Sequence, residues 1–397
     1  MEKKIVTSLG DTDLYKASMG NCVFENYPKA TASYEFVCRS GENLGFLTGQ
    51  AREQHQMMQN SCLSFSDGEF GLLRSLGRLG EAYLGEMAKG FCLDQPNVRI
   101  WDNSGKLGIV VHGLWYEAMM LEVPLLATVN ELYFRHIFGE EPEGLFAEGE
   151  RRLRNKIALL KQYPRVKVAD FGTRRRFSAK WHDTVVRILS EELPGQFVGT
   201  SNIMLAHKYG VKPIGTMAHE FVSGHLSLVP SVRLAQSRAL YTWLQTYKTN
   251  LGIVLSDTFT SKAFFTDFDV VLARAFSGVR QDSGDPVLFC KRAIAHYNLM
   301  GIDSRTKTVI FSDSLTVPKA IEIWKQFAGM IGMSFGIGTN LTNDLGPAPL
   351  NIVIKMTHCD GKPVCKISDD VGKAISGSPK VLEEVAAAYD IDLKARQ

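Results

Sequence analysis

The chain has 397 residues, 45% of them hydrophobic, and carries 45 basic against 42 acidic side chains for a formal charge of +3. That length supports a large core and two or three domains, or a barrel with an appended domain. The balanced charge argues against a general nucleic-acid binder, and no apolar run reaches the roughly 18 residues of a membrane helix. The segment Met1–Ser8 lacks the apolar stretch of a signal peptide. Seven scattered cysteines with no CxxC pair read as reduced thiols of a cytoplasmic protein.

In chain order, residues 32–38 alternate as a half-buried strand, and residues 70–87 read as helix interrupted by glycines. A strand over 107–113 is followed by a helix beginning near Trp115, and a long basic-faced helix spans 142–163 until Pro164 stops it. Seven short apolar runs follow, at 166–170, 196–200, 212–216, 252–256, 277–281, 307–312 and 333–338. Helices fit the gaps at 179–193, 202–209, 234–249, 286–300 and 318–327, so the pattern predicts parallel strands with helical crossovers. Beyond residue 345 the runs 351–356 and 363–367 flank Asp360-Gly361, a hairpin signal, and this tail is expected to return to the N-terminal region. The expected organisation is α/β: an irregular (β/α) barrel over 141–345 and a sandwich-like α/β domain built from 1–140 and 346–397.

Each apolar run ends in a polar cluster. In parallel sheets and barrels the carboxyl ends of the strands share one rim, and that rim holds the site. Gly336-Ile337-Gly338-Thr339-Asn340 offers a backbone nest suited to phosphate, and Ser312-Asp313-Ser314 precedes a helix that attracts anions. Arg280 and Asp282 supply a cation for phosphate and an acceptor for ribose hydroxyls, whereas Asp285 reads as a helix cap. Asp257 is a further carboxylate at the same height, with oxygen chemistry suited to Mg²⁺, and no cluster has zinc spacing. Arg174, Arg175 and Arg176 would repel one another on the rim without an anion. His219 follows a strand directly and has Glu220 beside it. An imidazole so placed can be a nucleophile, with a carboxylate fixing its tautomer.

These clusters together resemble the nicotinate phosphoribosyltransferase family. The resemblance rests on Asp11-Thr12-Asp13-Leu14-Tyr15-Lys16, Asp170-Phe171-Gly172-Thr173-Arg174, Gly199-Thr200-Ser201-Asn202, Gly215-Thr216-Met217-Ala218-His219-Glu220, Ser256-Asp257-Thr258, Arg280-Gln281-Asp282-Ser283-Gly284 and Gly336-Ile337-Gly338-Thr339-Asn340, and spans nearly the whole chain. It implies transfer of phosphoribosyl from 5-phosphoribosyl pyrophosphate to nicotinate in NAD salvage, coupled to ATP hydrolysis through a phosphohistidine at His219, with Mg²⁺ as cofactor. It also implies a homodimer with composite sites, in which the tyrosine matching Tyr15 comes from the partner. On this resemblance Tyr15 and Phe171 stack on the ring, while Arg174, Thr200 and Ser201 take the nicotinate carboxylate. Arg280, Asp282, Ser312, Asp313, Gly338 and Thr339 hold the phosphoribosyl group, and His219, Glu220 and Asp257 serve catalysis. The related nicotinamide enzymes carry an aspartate in the ring site, whereas Gly199–Asn202 contains no carboxylate, which favours the acid over the amide.

Overall fold

The computed structural model describes residues 3–90, 96–248, 250, 252–370 and 374–394. Its strands sort by hydrophobic pattern. Strands β1 (Thr31–Cys38), β2 (Asn97–Asn103) and β3 (Lys106–Leu114) alternate buried with less buried residues, as expected of a sheet with one dry face. Strands β4 (Val168–Asp170), β5 (Phe197–Thr200), β6 (Ile253–Leu255), β7 (Gly278–Gln281), β8 (Thr308–Phe311) and β9 (Gly332–Ile337) are short and largely buried, the signature of a parallel sheet covered on both sides. They pair in parallel in the order β5-β4-β9-β8-β7-β6.

The crossovers match the helical reading closely: Ala179–Glu192, Ile203–Tyr209, Ala235–Tyr247, Pro286–Leu299 and Val317–Phe327. Local chemistry sets their starts. Ser178, Asn202, Asp285 and Thr316 each accept a backbone N–H of the first turn through the side chain.

One expected strand is missing. Residues 212–216 contribute a single isolated bridge, Thr200 to Pro213. Gly199, at φ +137°, brings the Lys212 carbonyl so close that a Cβ would lie 1.9 Å from it. Two hydrogen bonds form there, Thr200 N to Lys212 O and Ile214 N to Thr200 O. Gly215 then meets the backbone of Tyr15, so the N-terminal segment occupies the place where pairing would continue. Among the described residues the parallel sheet therefore ends at β5 and β6 without closing through a seventh strand.

The two chain ends build one antiparallel sheet. Strand β10 (Ile352–Cys359) pairs with β1, turns through Asp360-Gly361, and pairs with β11 (Lys362–Pro363), giving the order β11-β10-β1-β3-β2. The tail then crosses to the parallel sheet: Ile367 bridges Phe259, and the Asp370 carboxylate accepts the Gly284 N–H. Cys62 is disulfide-bonded, a departure from seven reduced thiols that no residue spacing signalled, while Cys22, Cys38, Cys290, Cys359 and Cys365 are free. Among the described residues no helix is long and apolar enough to cross a membrane.

Candidate active site

The carboxyl ends of the parallel strands face the antiparallel sheet across a cavity of about 290 Å³. Ten of the residues expected from sequence line it: Tyr15, Phe171, Arg174, Ser201, His219, Glu220, Arg280, Asp282, Ser312 and Asp313. Four do not. Asp257 lies just behind His219. Gly338 and Thr339 begin a four-residue helix off the cavity wall. Thr200 is fully buried, its hydroxyl donating to Asp170 Oδ2 at 2.6 Å, so it braces β4 against β5.

His219 opens the helix His219–Leu228. Its Nε2 lies 3.0 Å from Asp257 Oδ1 and 3.7 Å from Asp282 Oδ2. Burial, then the nearby Lys366 charge, lowers its pKa to about 4 against the opposing pull of Asp257, so the ring is neutral at physiological pH. Burial works against the Asp257 charge as well, but His219 and Lys366 outweigh it and hold that carboxyl far below the usual range. An ionised Asp257 can only share a proton carried on Nε2, which leaves the lone pair on Nδ1. This is the arrangement of a histidine nucleophile with an orienting carboxylate.

The orienting carboxylate is Asp257 and not Glu220. Successive helical residues point about 100° apart, and Glu220 turns away to bind Lys16, whose ammonium also contacts Glu122. Glu122 Oε1 in turn stands 3.5 Å from Arg174 Nη1. Asp257 has both oxygens engaged, one by His219 and the other by the Ser283 hydroxyl. Among the described residues no group of three or more His, Cys, Asp or Glu side chains is placed to hold a metal ion.

The arginine run divides. Arg174 and Arg175 line the cavity, whereas Arg176 is fully buried and forks onto Asp11, with Nη2 to Oδ2 at 2.6 Å. Arg175 drops to about 10 because it is buried beside Arg174 and Arg39, a crowding of cations that an anion would relieve. Across the cavity Ser312 donates to Asp282 Oδ1 at 2.6 Å, and Arg280 donates to the Met217 carbonyl at 3.0 Å. Phe171 lies over Gly336, where a Cβ would come within 2.3 Å of the ring, so the glycine is what lets the aromatic ring lie flat.

Tyr15 lines this cavity from within the same chain, on the same wall as Phe171 and Arg174. Gly199–Asn202 contributes no carboxylate, but the N-terminal segment brings one beside it. Asp13 stands on the wall, its Oδ1 accepting the Ser201 hydroxyl at 2.7 Å. Sequence reasoning missed Asp13, Glu122, Lys355 and Lys366, since each reaches the cavity through long-range pairing. Lys355 comes from β10, and burial lowers it to about 7.

A sequence model described as the nicotinate phosphoribosyltransferase (NAPRTase) family matches residues 166–393, and the model of that family's N-terminal domain matches 11–130. The chain is 43% identical over 399 residues to the nicotinate phosphoribosyltransferase of Acidovorax sp. (strain JS42), covering 98% of this chain and 99% of that one. It superposes on the crystal structure of nicotinate phosphoribosyltransferase from Vibrio cholerae with a TM-score of 0.92 at 35% identity, covering 100% of this chain and 96% of the other. The enzyme of the same name from Porphyromonas gingivalis gives 0.89 at 36% identity, covering 98% and 100%.

Proposed function

The chain belongs to the nicotinate phosphoribosyltransferase family of enzymes, and on that premise we propose that it joins nicotinate to 5-phosphoribosyl pyrophosphate, coupled to ATP hydrolysis through a phosphohistidine at His219, in NAD salvage. The observation that carries the coupling is the neutral His219 held by Asp257 at the cavity wall. Nδ1 attacks the terminal phosphorus of ATP, the bond to ADP breaks, and the positive charge on the phosphorylated ring is balanced by Asp257. In the transfer step the pyridine nitrogen bonds to C1 of the ribose as the C1–oxygen bond to pyrophosphate breaks. The charges that develop there are an oxocarbenium-like sugar and a leaving pyrophosphate, so catalysis is positioning and electrostatic stabilisation.

Tyr15 and Phe171 take the ring, and Arg174 with Ser201 takes its carboxylate. Arg280, Asp282, Ser312 and Asp313 hold the phosphoribosyl end. Magnesium belongs to this reading as an ion brought in on polyphosphate oxygens. Incubation with nicotinate, 5-phosphoribosyl pyrophosphate and labelled ATP tests the proposal. Nicotinate mononucleotide and an acid-labile phosphoprotein are expected, with nicotinate turned over far better than nicotinamide. Equal rates on the two rings, or no phosphoprotein, would overturn the corresponding half.

A further inference from the structure

The corner of the cavity that receives the ring acid has an awkward hydrogen-bond polarity. Ser201 owns one hydroxyl proton and gives it to Asp13 Oδ1 at 2.7 Å. Its remaining lone pairs accept only, and so does a carboxylate. In that state Ser201 suits an amide N–H and opposes nicotinate. The backbone that carries both residues is pinned. Asp13 pairs with Asn202 in an isolated antiparallel bridge, and Leu14 N donates to the Ser201 carbonyl at 2.7 Å. Both side chains are nearly inaccessible, at 5% and 3% exposure, yet both line the cavity beside Tyr15, Phe171 and Arg174.

The local charges divide around this corner. Asp13, Glu122 and Glu220 are three carboxylates in one corner, set against Lys16 and Arg174, and Lys355 contributes only part of a charge at neutrality. Asp170 lies behind Asp13, Arg176 is committed to Asp11, Tyr15 is a further titratable neighbour, and Arg175 stands beside Arg174. Arg175 and Arg39 crowd Arg174 from the other side and favour an entering anion, whereas Asp13, hydrogen-bonded to Ser201, is the carboxylate set against it.

We infer that Asp13 is a specificity-determining residue: it takes up a proton as nicotinate binds and donates it to Ser201, freeing the Ser201 hydroxyl to donate to the ring's carboxylate. Protonated, Asp13 removes one negative charge and reverses the direction of the Asp13–Ser201 hydrogen bond, and no atom moves further than a proton. Burial, the largest influence on Asp13, already raises its carboxyl above the ordinary value against the pull of Ser201 and Arg174. The inference rests on the nicotinate reading proposed above.

The test measures proton uptake. Nicotinate is titrated calorimetrically into the wild-type protein at about pH 6, below the Lys355 titration, in two buffers of different ionisation enthalpy. A net uptake approaching one proton is expected, and it should vanish in Asp13→Asn, whose neutral amide donates to Ser201 permanently. The same variant should keep its nicotinate KM as pH rises, where the wild type weakens about tenfold per unit above the Asp13 pKa, and should use nicotinamide less well than the wild type. A residue with a merely structural role would move KM without moving the proton count. Nicotinate binding with no proton uptake in the wild type, or uptake that persists in Asp13→Asn and so belongs to Glu220 or Lys355, overturns the inference. If nicotinate neither binds nor reacts, the functional reading itself has failed.

Discussion

Two histidine–aspartate pairs stand at the ends of parallel strands, and their surroundings differ. At β4, His182 Nε2 lies 2.6 Å from Asp170 Oδ2, and both side chains are wholly buried. At β6, His219 Nε2 lies 3.0 Å from Asp257 Oδ1, and the histidine is 11% exposed. Asp170 also accepts the Thr200 hydroxyl and the Gly172 N–H, so its oxygens tie the β4 turn to β5. Asp257 accepts Ser283 and faces Lys366. The chemistry of the two pairs is nearly the same. What separates them is that His219 lines the cavity, whereas His182 is wholly buried in protein. Access, rather than the pair itself, makes a histidine a nucleophile.

The sharpest way to break this comparison is His219→Asn, which should abolish the phosphoprotein entirely while leaving some transfer that does not depend on ATP. An acid-labile phosphoprotein surviving in that variant would remove His219 from the role. Asp257→Asn should come next. It keeps the shape but spoils the tautomer, and a buried aspartate behind a catalytic histidine is worth about 10⁴ in rate elsewhere. A comparable loss in phosphorylation rate is expected, read by rapid quench with labelled ATP.

Asp170→Ala should leave the phosphorylation step and instead cost stability, on the order of 3 kcal/mol or more, because three buried donors lose their acceptor. Denaturant melts beside single-turnover phosphorylation separate the two outcomes, and the reverse pattern would exchange the roles assigned to the pairs. The pH profile sharpens the same point. With its pKa lowered to about 4, His219 is neutral above that value and protonated below it, so phosphorylation should be flat on this group from neutrality down to about pH 5 and fall through pH 4. A midpoint near 6.5 would mean that burial does not govern this ring. Gly336→Ala should have the smallest effect. Its Cβ would push the Phe171 ring, for a strain of about 1–3 kcal/mol, raising the nicotinate KM with little change in phosphorylation.

How much of the site was legible in the sequence follows from how local each signal is. Ser312, Asp282, Arg280 and Phe171 each sit within three residues of a buried strand end, so strand periodicity alone carried them to the rim. Glu220 pairs with Lys16 and not with His219, because neighbours in a helical sequence point about 100° apart. The three arginines looked equivalent on the page, yet one of them is a buried partner of Asp11, 165 residues away. The Gly338-Thr339 turn carried a phosphate-like pattern and lies off the wall, because a short helix packs there against Gly172.

The sequence by itself determined the elements, their order and the rim, since alternating and continuous apolar runs encode strands and helices over a few residues at a time. It also carried enough ordered motifs to point to the family. Only the tertiary structure decided which charges meet: Asp13 with Ser201, Lys16 with Glu122 and Glu220, Lys366 with Asp257. A buried charge must find a partner, but nothing local says which one, because many polar residues satisfy the same requirement. The pairing is settled when both ends of the chain close one sheet and the tail crosses to the parallel strands, bringing residues about 200 positions apart within a hydrogen bond.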